Sequence, residues 1–380
     1  MKVLVLGCGE MGSSAVKDLY EYGKFKEIIV ATRSMEKVQR LHPELKGRPI
    51  HVSAHKLDIS DHEQLVTLMQ GCDVVVNCVG PNYKHEVNIA RAAIKANVNL
   101  IDINDDYETT YKMLELDDEA KEAGIIIVLG LGASPGINNV FAKAASDQLE
   151  MVDEIHTTWV MSGADPGGLA LSYHLLYSLS GRALTFQNGK MIEVESFVDG
   201  KERMEFLDPV GPLDVYHVGH PEPVTLSRVF ETAKVVDDKA TFHPPFVNDL
   251  IRNLGKMVRE AGGPIRVNGR SIDPMDFAAA YFHQRCKSLK NIPKEGALRV
   301  DVKGKRNGQS KIITYTSSGV ITSGTGTPAS MGAQMLIEGH IYGKGVLAPE
   351  ECVDWREFIK TIVSRQIGRL IIREQNVESD

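Results

Sequence analysis

Lys2-Val3-Leu4-Val5-Leu6-Gly7-Cys8-Gly9-Glu10-Met11-Gly12 is the stretch on which the fold turns. Its short apolar run reads as a buried parallel strand. The Gly-x-Gly-x-x-Gly string that follows opens a segment of helical period over residues 11–22, with Met11, Ala15, Leu19 and Tyr22 on one stripe. In that context each glycine has a task. Gly7 permits a tight turn, Gly9 lets the backbone approach a pyrophosphate, and Gly12 allows close helix–strand packing. The first amides of the helix, around Glu10 and Met11, then face the anion.

The same alternation continues outward. Strand-like runs at 27–31, 50–57, 73–78, 99–103 and 125–131 are separated by helical patterns at 35–41, 61–69, 86–96 and 111–123. Parallel neighbours need crossover helices, so the spacing predicts an α/β fold with a Rossmann doubly wound parallel sheet. The rhythm changes after about residue 143. Strands are predicted at 152–161, 191–197, 203–207, 215–226, 297–303 and 311–317, with hairpin turns at Asp199-Gly200 and at 305–308. Helices at 173–179, 245–260 and 273–287 would cover them. This is a second α+β domain with a mixed or antiparallel sheet. Helices at 328–338 and 354–363 follow, the latter opened by Asp354 and Glu357 in a variant of the capping box. The expected organisation is 1–143 as a NAD(P)-binding Rossmann domain and 144–324 as a substrate and dimerisation domain. Residues 325–380 are expected to return to the first domain.

Composition agrees with this reading. The 380 residues are 43 % hydrophobic and 24 % charged, which suits two globular domains. A net charge of −7 without a basic run gives no electrostatic reason to expect a nucleic-acid partner. No apolar run approaches the roughly 20 residues that cross a bilayer. Five cysteines without a Cys-x-x-Cys pair argue against a disulfide framework or a zinc site, so no metal is expected and a reducing cytoplasm is the default.

The end of the second strand decides the cofactor. NAD enzymes place a carboxylate about 20 residues past the glycines to hold the ribose hydroxyls. Here the segment is Thr32-Arg33-Ser34. Arg33 can pair with a 2′-phosphate that a carboxylate would repel, and the two hydroxyls can add hydrogen bonds. NADP is therefore expected, with NAD as the second choice. Asp58, past the third strand, is placed for the adenine edge. Asn77-Cys78-Val79-Gly80-Pro81 ends the fourth strand and is expected to line the nicotinamide half.

Further segments join these motifs: Leu100-Ile101-Asp102-Ile103-Asn104-Asp105, Gly132-Ala133-Ser134-Pro135-Gly136-Ile137-Asn138-Asn139, Tyr173-His174-Leu175-Leu176-Tyr177-Ser178, Gln187-Asn188-Gly189-Lys190, Thr325-Gly326 and the run from Gly345-Val346 to Pro349-Glu350. Together they resemble the saccharopine dehydrogenase-like oxidoreductases, including lysine 6-dehydrogenases and carboxynorspermidine synthases. The chain departs from the pattern at Ser134, where many saccharopine-forming members have Asp, at Asp105, where they often have Tyr, and at His174, where a lysine dehydrogenase-like member has Lys. The resemblance implies hydride transfer at a carbon–nitrogen bond of an amino acid or amine, and a homodimer.

That chemistry needs a group to take a proton from the amine and return one to a carbinolamine. Asp105, past the fifth strand, is the first candidate, with a helix cap as its structural alternative. His85 beside the nicotinamide loop and His174 on a predicted helix are further catalytic candidates. Asn104, Ser134, Pro135, Gly136, Asn139, Tyr173, His220 and Arg228 are the expected substrate contacts. Cys78 has no neighbour that marks a nucleophile. Two readings outside this chemistry are a non-catalytic NADP-binding sensor or scaffold, and an enoyl or quinone reductase of related fold.

Overall fold

The computed structural model describes residues 1–179 and 181–377. It divides into two units, Met1–Val140 with Thr322–Ile367, and Phe141–Ile321 with the segment from Gly368. In the first, β1 (Lys2–Leu6), α1 (Glu10–Tyr22), β2 (Glu27–Thr32), α2 (Met35–Leu41), β3 (His51–Lys56), α3 (His62–Met69), β4 (Val74–Asn77), α4 (Asn82–Ala96) and β5 (Asn99–Asp102) alternate as the periods require. Residues 111–123 do not form one helix: α5 (Tyr107–Leu114) and α6 (Asp117–Glu122) are separate, and β6 (Ile126–Val128) follows. Asp61 caps α3 by accepting from the Gln64 amide at 3.1 Å.

Helix α7 (Ile137–Ser146) leads into the second unit. Its elements are β7 (Met151–Ser162), α8 (Leu169–Ser178), β8 (Arg182–Gln187), β9 (Lys190–Glu195), β10 (Glu202–Met204), β11 (Leu213–His217), α9 (Glu222–Val229), β12 (Val235–His243), α10 (Phe246–Ala261), the small hairpin β13 (Ile265–Val267) and β14 (Arg270–Ile272), α11 (Pro274–Lys287), β15 (Glu295–Arg306) and β16 (Gln309–Val320). The chain then returns to the first unit with α12 (Ile321–Glu338), β17 (Gly345–Leu347), α13 (Pro349–Cys352) and α14 (Trp355–Ser364), and ends in β18 (Arg369–Asn376).

The first sheet is wholly parallel in the order β17-β6-β5-β4-β1-β2-β3. Register sets Leu6 beside both Ala31 and Asn77, so the ends of β2 and β4 flank the glycine turn. Val75, Leu100 and Ile127 bury against Leu65, Ile89 and Met113 of the crossover helices. A polar cluster ties the returning segment to α1. Buried Asp18 accepts from Ser330, Arg365 and, at 3.2 Å, Gln334.

The second sheet runs β10-β11-β12-β7-β15-β16-β18, with β8 on β12 and β9 on β8. It is mixed: β12 and β7 are parallel, and β15 and β16 form a long antiparallel hairpin. Trp159, Phe242 and Phe197 pack with Leu175, Ile251 and Phe282 of the covering helices. Three expectations are corrected here. The Asp199-Gly200 step joins no hairpin, because β9 pairs with β8 through Asn188-Gly189, both at positive φ (50° and 80°), while β10 pairs with β11. The predicted strand 215–226 ends at His217, and helix α9 begins after Pro221 with Pro223 in its first turn, where a proline lacks only an amide that the helix does not use. The tail does not stay with the first unit: β18 pairs with β16 in the second. No helix among the described residues is long and apolar enough to cross a membrane.

The second sheet carries a titrating ion pair. Burial opposes the charge on His156, but hydrogen bonds to Asp237 at 3.0 Å and Glu154 at 3.3 Å outweigh it and lift the imidazole to about 10. A histidine raised in the folded state stabilises fully below its unfolded value of about 6.5, and that contribution is lost as pH rises through the folded value. The stability lead of wild type over His156→Gln, read as Tm, is expected to shrink between pH 6.5 and about 10. A lead that grows across that window would contradict the charged pair.

Candidate functional site

The glycine turn has the form its sequence requires. Gly7 has φ +89°, and a Cβ there would lie 2.8 Å from the Cys78 carbonyl oxygen. A Cβ on Gly12 would lie 2.1 Å from the Gly7 oxygen, so the first turn of α1 presses directly on the loop. A Cβ on Gly9 would meet nothing within 4 Å, so the helix N-terminus around Glu10 and Met11 opens onto space. Such a cradle fits a dinucleotide pyrophosphate. Burial pushes the Cys78 thiol up to about 12, which leaves it no thiolate character.

At the end of β2, Arg33 is exposed and the Thr32 hydroxyl accepts from the Ser34 amide at 3.3 Å. Asp58, past β3, accepts from the Ser60 amide at 3.0 Å and its hydroxyl at 2.8 Å. These bonds lower its pKa, and Arg33 and His85 lower it further. The His85 imidazole is half-buried in the first turn of α4. Burial lowers its pKa, and Arg33 and Lys84 add to that, while Asp58 opposes them. His85 thus shares its electrostatic surroundings with the residues expected at the adenosine end.

The ends of β4 and β5 hold a second cluster, in which the expected Asn77 meets Glu86, a residue outside the expected site. The Asn77 amide group donates to both oxygens of buried Glu86, at 3.0 and 2.9 Å, and its carbonyl oxygen accepts from the Val79 amide at 3.0 Å. That fixes the loop through Gly80. Asp102 is also fully buried and accepts from the amides of Asn104 and Gly130 at 2.8 and 2.7 Å. Burial, first, and their mutual repulsion raise Glu86 well above the carboxylate range, and burial carries Asp102 up to about 7. The pair keeps a proton near neutral pH. Glu86 was legible only as one residue of a helix face.

Asp105 is half-buried, and the Asn82 amide group donates to its Oδ1 at 2.9 Å. The N-cap position of α5 falls to Asp106, which accepts from the Tyr83 amide at 3.1 Å, so Asp105 is not the helix cap. Two expected substrate contacts are hydrogen-bonded within the protein. Asn104 is wholly buried and donates to the Thr110 hydroxyl at 2.9 Å. Asn139 is wholly buried, accepts from the Gly136 amide at 2.9 Å and donates to Glu350 at 2.8 Å. Ser134, half-buried, accepts from the Asn138 amide group at 2.9 Å, and Pro135 and Gly136 shape the turn before α7.

In the second unit, buried His174 meets the Ser178 hydroxyl through Nε2 at 3.1 Å, and its ring lies edge-on to His220 at 6.4 Å. His220 Nδ1 faces Glu222 at 3.1 Å, and the ring lies 5.1 Å from Trp159. Asp238 accepts from Trp159 Nε1 at 3.0 Å and from the Thr157 hydroxyl at 2.6 Å. Burial, reinforced by Glu222, raises its pKa well above the carboxylate range. His220, Glu222 and Asp238 are close enough to surround a cation. The two Asp238 oxygens and His220 Nδ1 are already engaged, so the arrangement is a buried hydrogen-bonded network. Trp159, Glu222 and Asp238 were not foreseen. Tyr173 turns to Asp276 at 2.6 Å, and Arg228 is exposed in the last turn of α9, so neither is gathered with this cluster.

A model of the saccharopine dehydrogenase NADP binding domain matches residues 3–128, and one of the saccharopine dehydrogenase C-terminal domain matches residues 132–369. Carboxyaminopropylagmatine dehydrogenase of Synechocystis sp. is 25 % identical over 92 % of this chain and 92 % of its own length. Carboxynorspermidine synthase of Vibrio cholerae is 23 % identical over 97 % of this chain and 96 % of its own. Among solved structures, saccharopine dehydrogenase (L-Glu forming) from Saccharomyces cerevisiae covers 99 % of this chain and 100 % of its own with a TM-score of 0.69. At 16 % identity that likeness is one of fold.

Proposed function

The chain belongs to the saccharopine dehydrogenase family as an NADP-binding oxidoreductase, and from that premise we propose that it moves a hydride to or from the carbon of a C–N bond in a small amine that also carries a carboxylate. The observation that carries this reading is one sheet edge that joins the open glycine cradle and exposed Arg33 to a carboxylate, Asp105, held by Asn82. The names of the two relatives of near-equal length point to carboxylated polyamines. Oxidative deamination of a lysine-type amino acid is the neighbouring reading. The cofactor supplies the hydride acceptor or donor at its nicotinamide.

This chain's residues supply the rest. Gly7, Gly9 and Gly12 with the first amides of α1 hold the pyrophosphate, and Arg33 with Thr32 and Ser34 holds the 2′-phosphate. The Asn77–Gly80 loop, braced by Glu86, orients the nicotinamide. Asp105 takes the proton that leaves the amine neutral and returns one to the departing nitrogen when the carbinolamine collapses. His174 and His220 are the proposed proton-handling and substrate-contacting residues of the second unit. We also propose that the chain works as a homodimer, which light scattering of the pure protein checks.

Arg33→Ala is expected to weaken NADPH binding about 10- to 150-fold, the worth of one charge-assisted contact of about 1.5–3 kcal/mol, and to leave NADH binding nearly unchanged. Fluorescence titration reads both, and equal losses for the two cofactors would remove Arg33 from phosphate recognition. The substrate class is tested by following NADPH absorbance with carboxylated aldehydes paired with diamines or agmatine, and NADP reduction with lysine and ornithine. Turnover that requires an amine is expected. Tight NADPH binding without turnover would favour the scaffold reading, and turnover on enoyl or quinone substrates alone would favour the reductase.

A further inference from the structure

We propose that His85 belongs to the adenosine-phosphate end of the cofactor site, where its imidazole takes up a proton as the 2′-phosphate docks at Arg33. Three observations carry this. The sheet order β4-β1-β2-β3 brings the ends of β2, β3 and β4 to one edge, and these ends carry Arg33, Asp58 and the start of α4. His85 lies in the first turn of α4, half-buried, whereas Arg33 and Asp58 are exposed at that edge. The charged groups in reach of the imidazole come from all three segments: Arg33 after β2, Asp58 after β3, and Lys84 on its own helix. On the helix packed against α4, His62 is turned to Asn88 at 2.9 Å.

The consequence is electrostatic. Without phosphate, burial and then the cations Arg33 and Lys84 favour the neutral imidazole, and the single carboxylate of Asp58 opposes them only in part. A phosphate dianion at Arg33 offsets that cation and adds an attraction of its own, so the charged imidazole becomes the favoured form. Binding of a phosphorylated cofactor then takes up a proton, and by linkage its affinity rises as pH falls. A cofactor without the 2′-phosphate lacks this coupling. The device sharpens the choice of NADP over NAD in mildly acidic conditions, and it removes His85 from the proton transfers of the reaction. The inference rests on NADP as the cofactor.

Isothermal titration of the full chain with NADPH and with NADH, in buffers of different ionisation enthalpy from pH 6 to 8, counts the protons. Wild type is expected to take up more protons per NADPH than His85→Asn does, which subtracts the titration of the phosphate itself. The two proteins are expected to give equal counts with NADH. NADPH affinity of wild type, relative to the variant, is expected to rise about 3- to 10-fold from pH 8 to pH 6. Equal proton counts for the two proteins with NADPH would overturn the proposal. So would a His85→Asn protein that binds both cofactors normally but loses turnover at saturating NADPH, because that marks a catalytic residue. Absence of NADPH binding by wild type would instead bring down the cofactor assignment, and this proposal with it.

Discussion

Asp105→Asn is expected to lower turnover about 10²- to 10⁴-fold while NADPH binds as before. The substitution keeps the size of the side chain and an oxygen for the Asn82 donor, which now reaches Asp105 Oδ1 at 2.9 Å. What it removes is the capacity to accept and return a proton. Asp105 also stands in the field of the buried Glu86 and Asp102 carboxyls, which interact electrostatically with it. The glycine cradle and Arg33 are untouched, so the loss should fall on kcat. Stopped-flow and steady-state rates with a turned-over amine, beside a fluorescence titration of NADPH, separate the two effects. Unchanged kcat would reduce Asp105 to a loop brace and move the acid/base role elsewhere.

Asp102→Ala is expected to destabilise the chain by about 2–6 kcal/mol, because it strips the amides of Asn104 and Gly130 of their acceptor in a fully buried site, at about 1–3 kcal/mol each. Asp102→Asn keeps an oxygen for those amides and should cost less than half as much. The neighbouring Glu86 gives the pH signature. Both acids lie above their unfolded values, with Asp102 at about 7. Carboxyls raised in this way favour the folded state fully below about pH 4, and the contribution fades as pH rises through the folded value. Glu86→Gln holds the position neutral, so its stability relative to wild type is expected to climb from pH 4 to beyond 7. Urea unfolding across that range measures it, and a variant that loses ground as pH rises would mean that the pair is ionised when folded.

The sequence carried the first unit plainly, because its restraints are local. Only glycine fits Gly7 at φ +89° and Gly12 against the Gly7 oxygen, and β-branched runs between amphipathic helices leave little choice of sheet. The central strand β12 was hidden by Asp237-Asp238-Lys239, a run that looks solvated. In the structure each of the three charges has a partner: His156 for Asp237, Thr157 and Trp159 for Asp238, and Glu202 for Lys239 at 2.6 Å. Burial of these charges depends on neighbours that are distant in the chain, and no periodicity reports it. Glu86 was missed for the same reason, since only the pairing of β4 with β5 brings Asn77 beside Asp102. The Asn188-Gly189 hairpin is readable as a turn dipeptide, whereas Asp199-Gly200 lies between strands that pair with other partners.

The central claim is hydride transfer at a carbon–nitrogen bond. NADPH deuterated at the transferable C4 position, incubated with the amine and carbonyl pair that turns over fastest, tests it by mass spectrometry and NMR of the product. One deuterium on the carbon that has gained the new C–N bond is the expected result. Deuterium on an alcohol carbon or on a former C=C carbon, or no transfer to any pair by a protein that binds NADPH tightly, would contradict it.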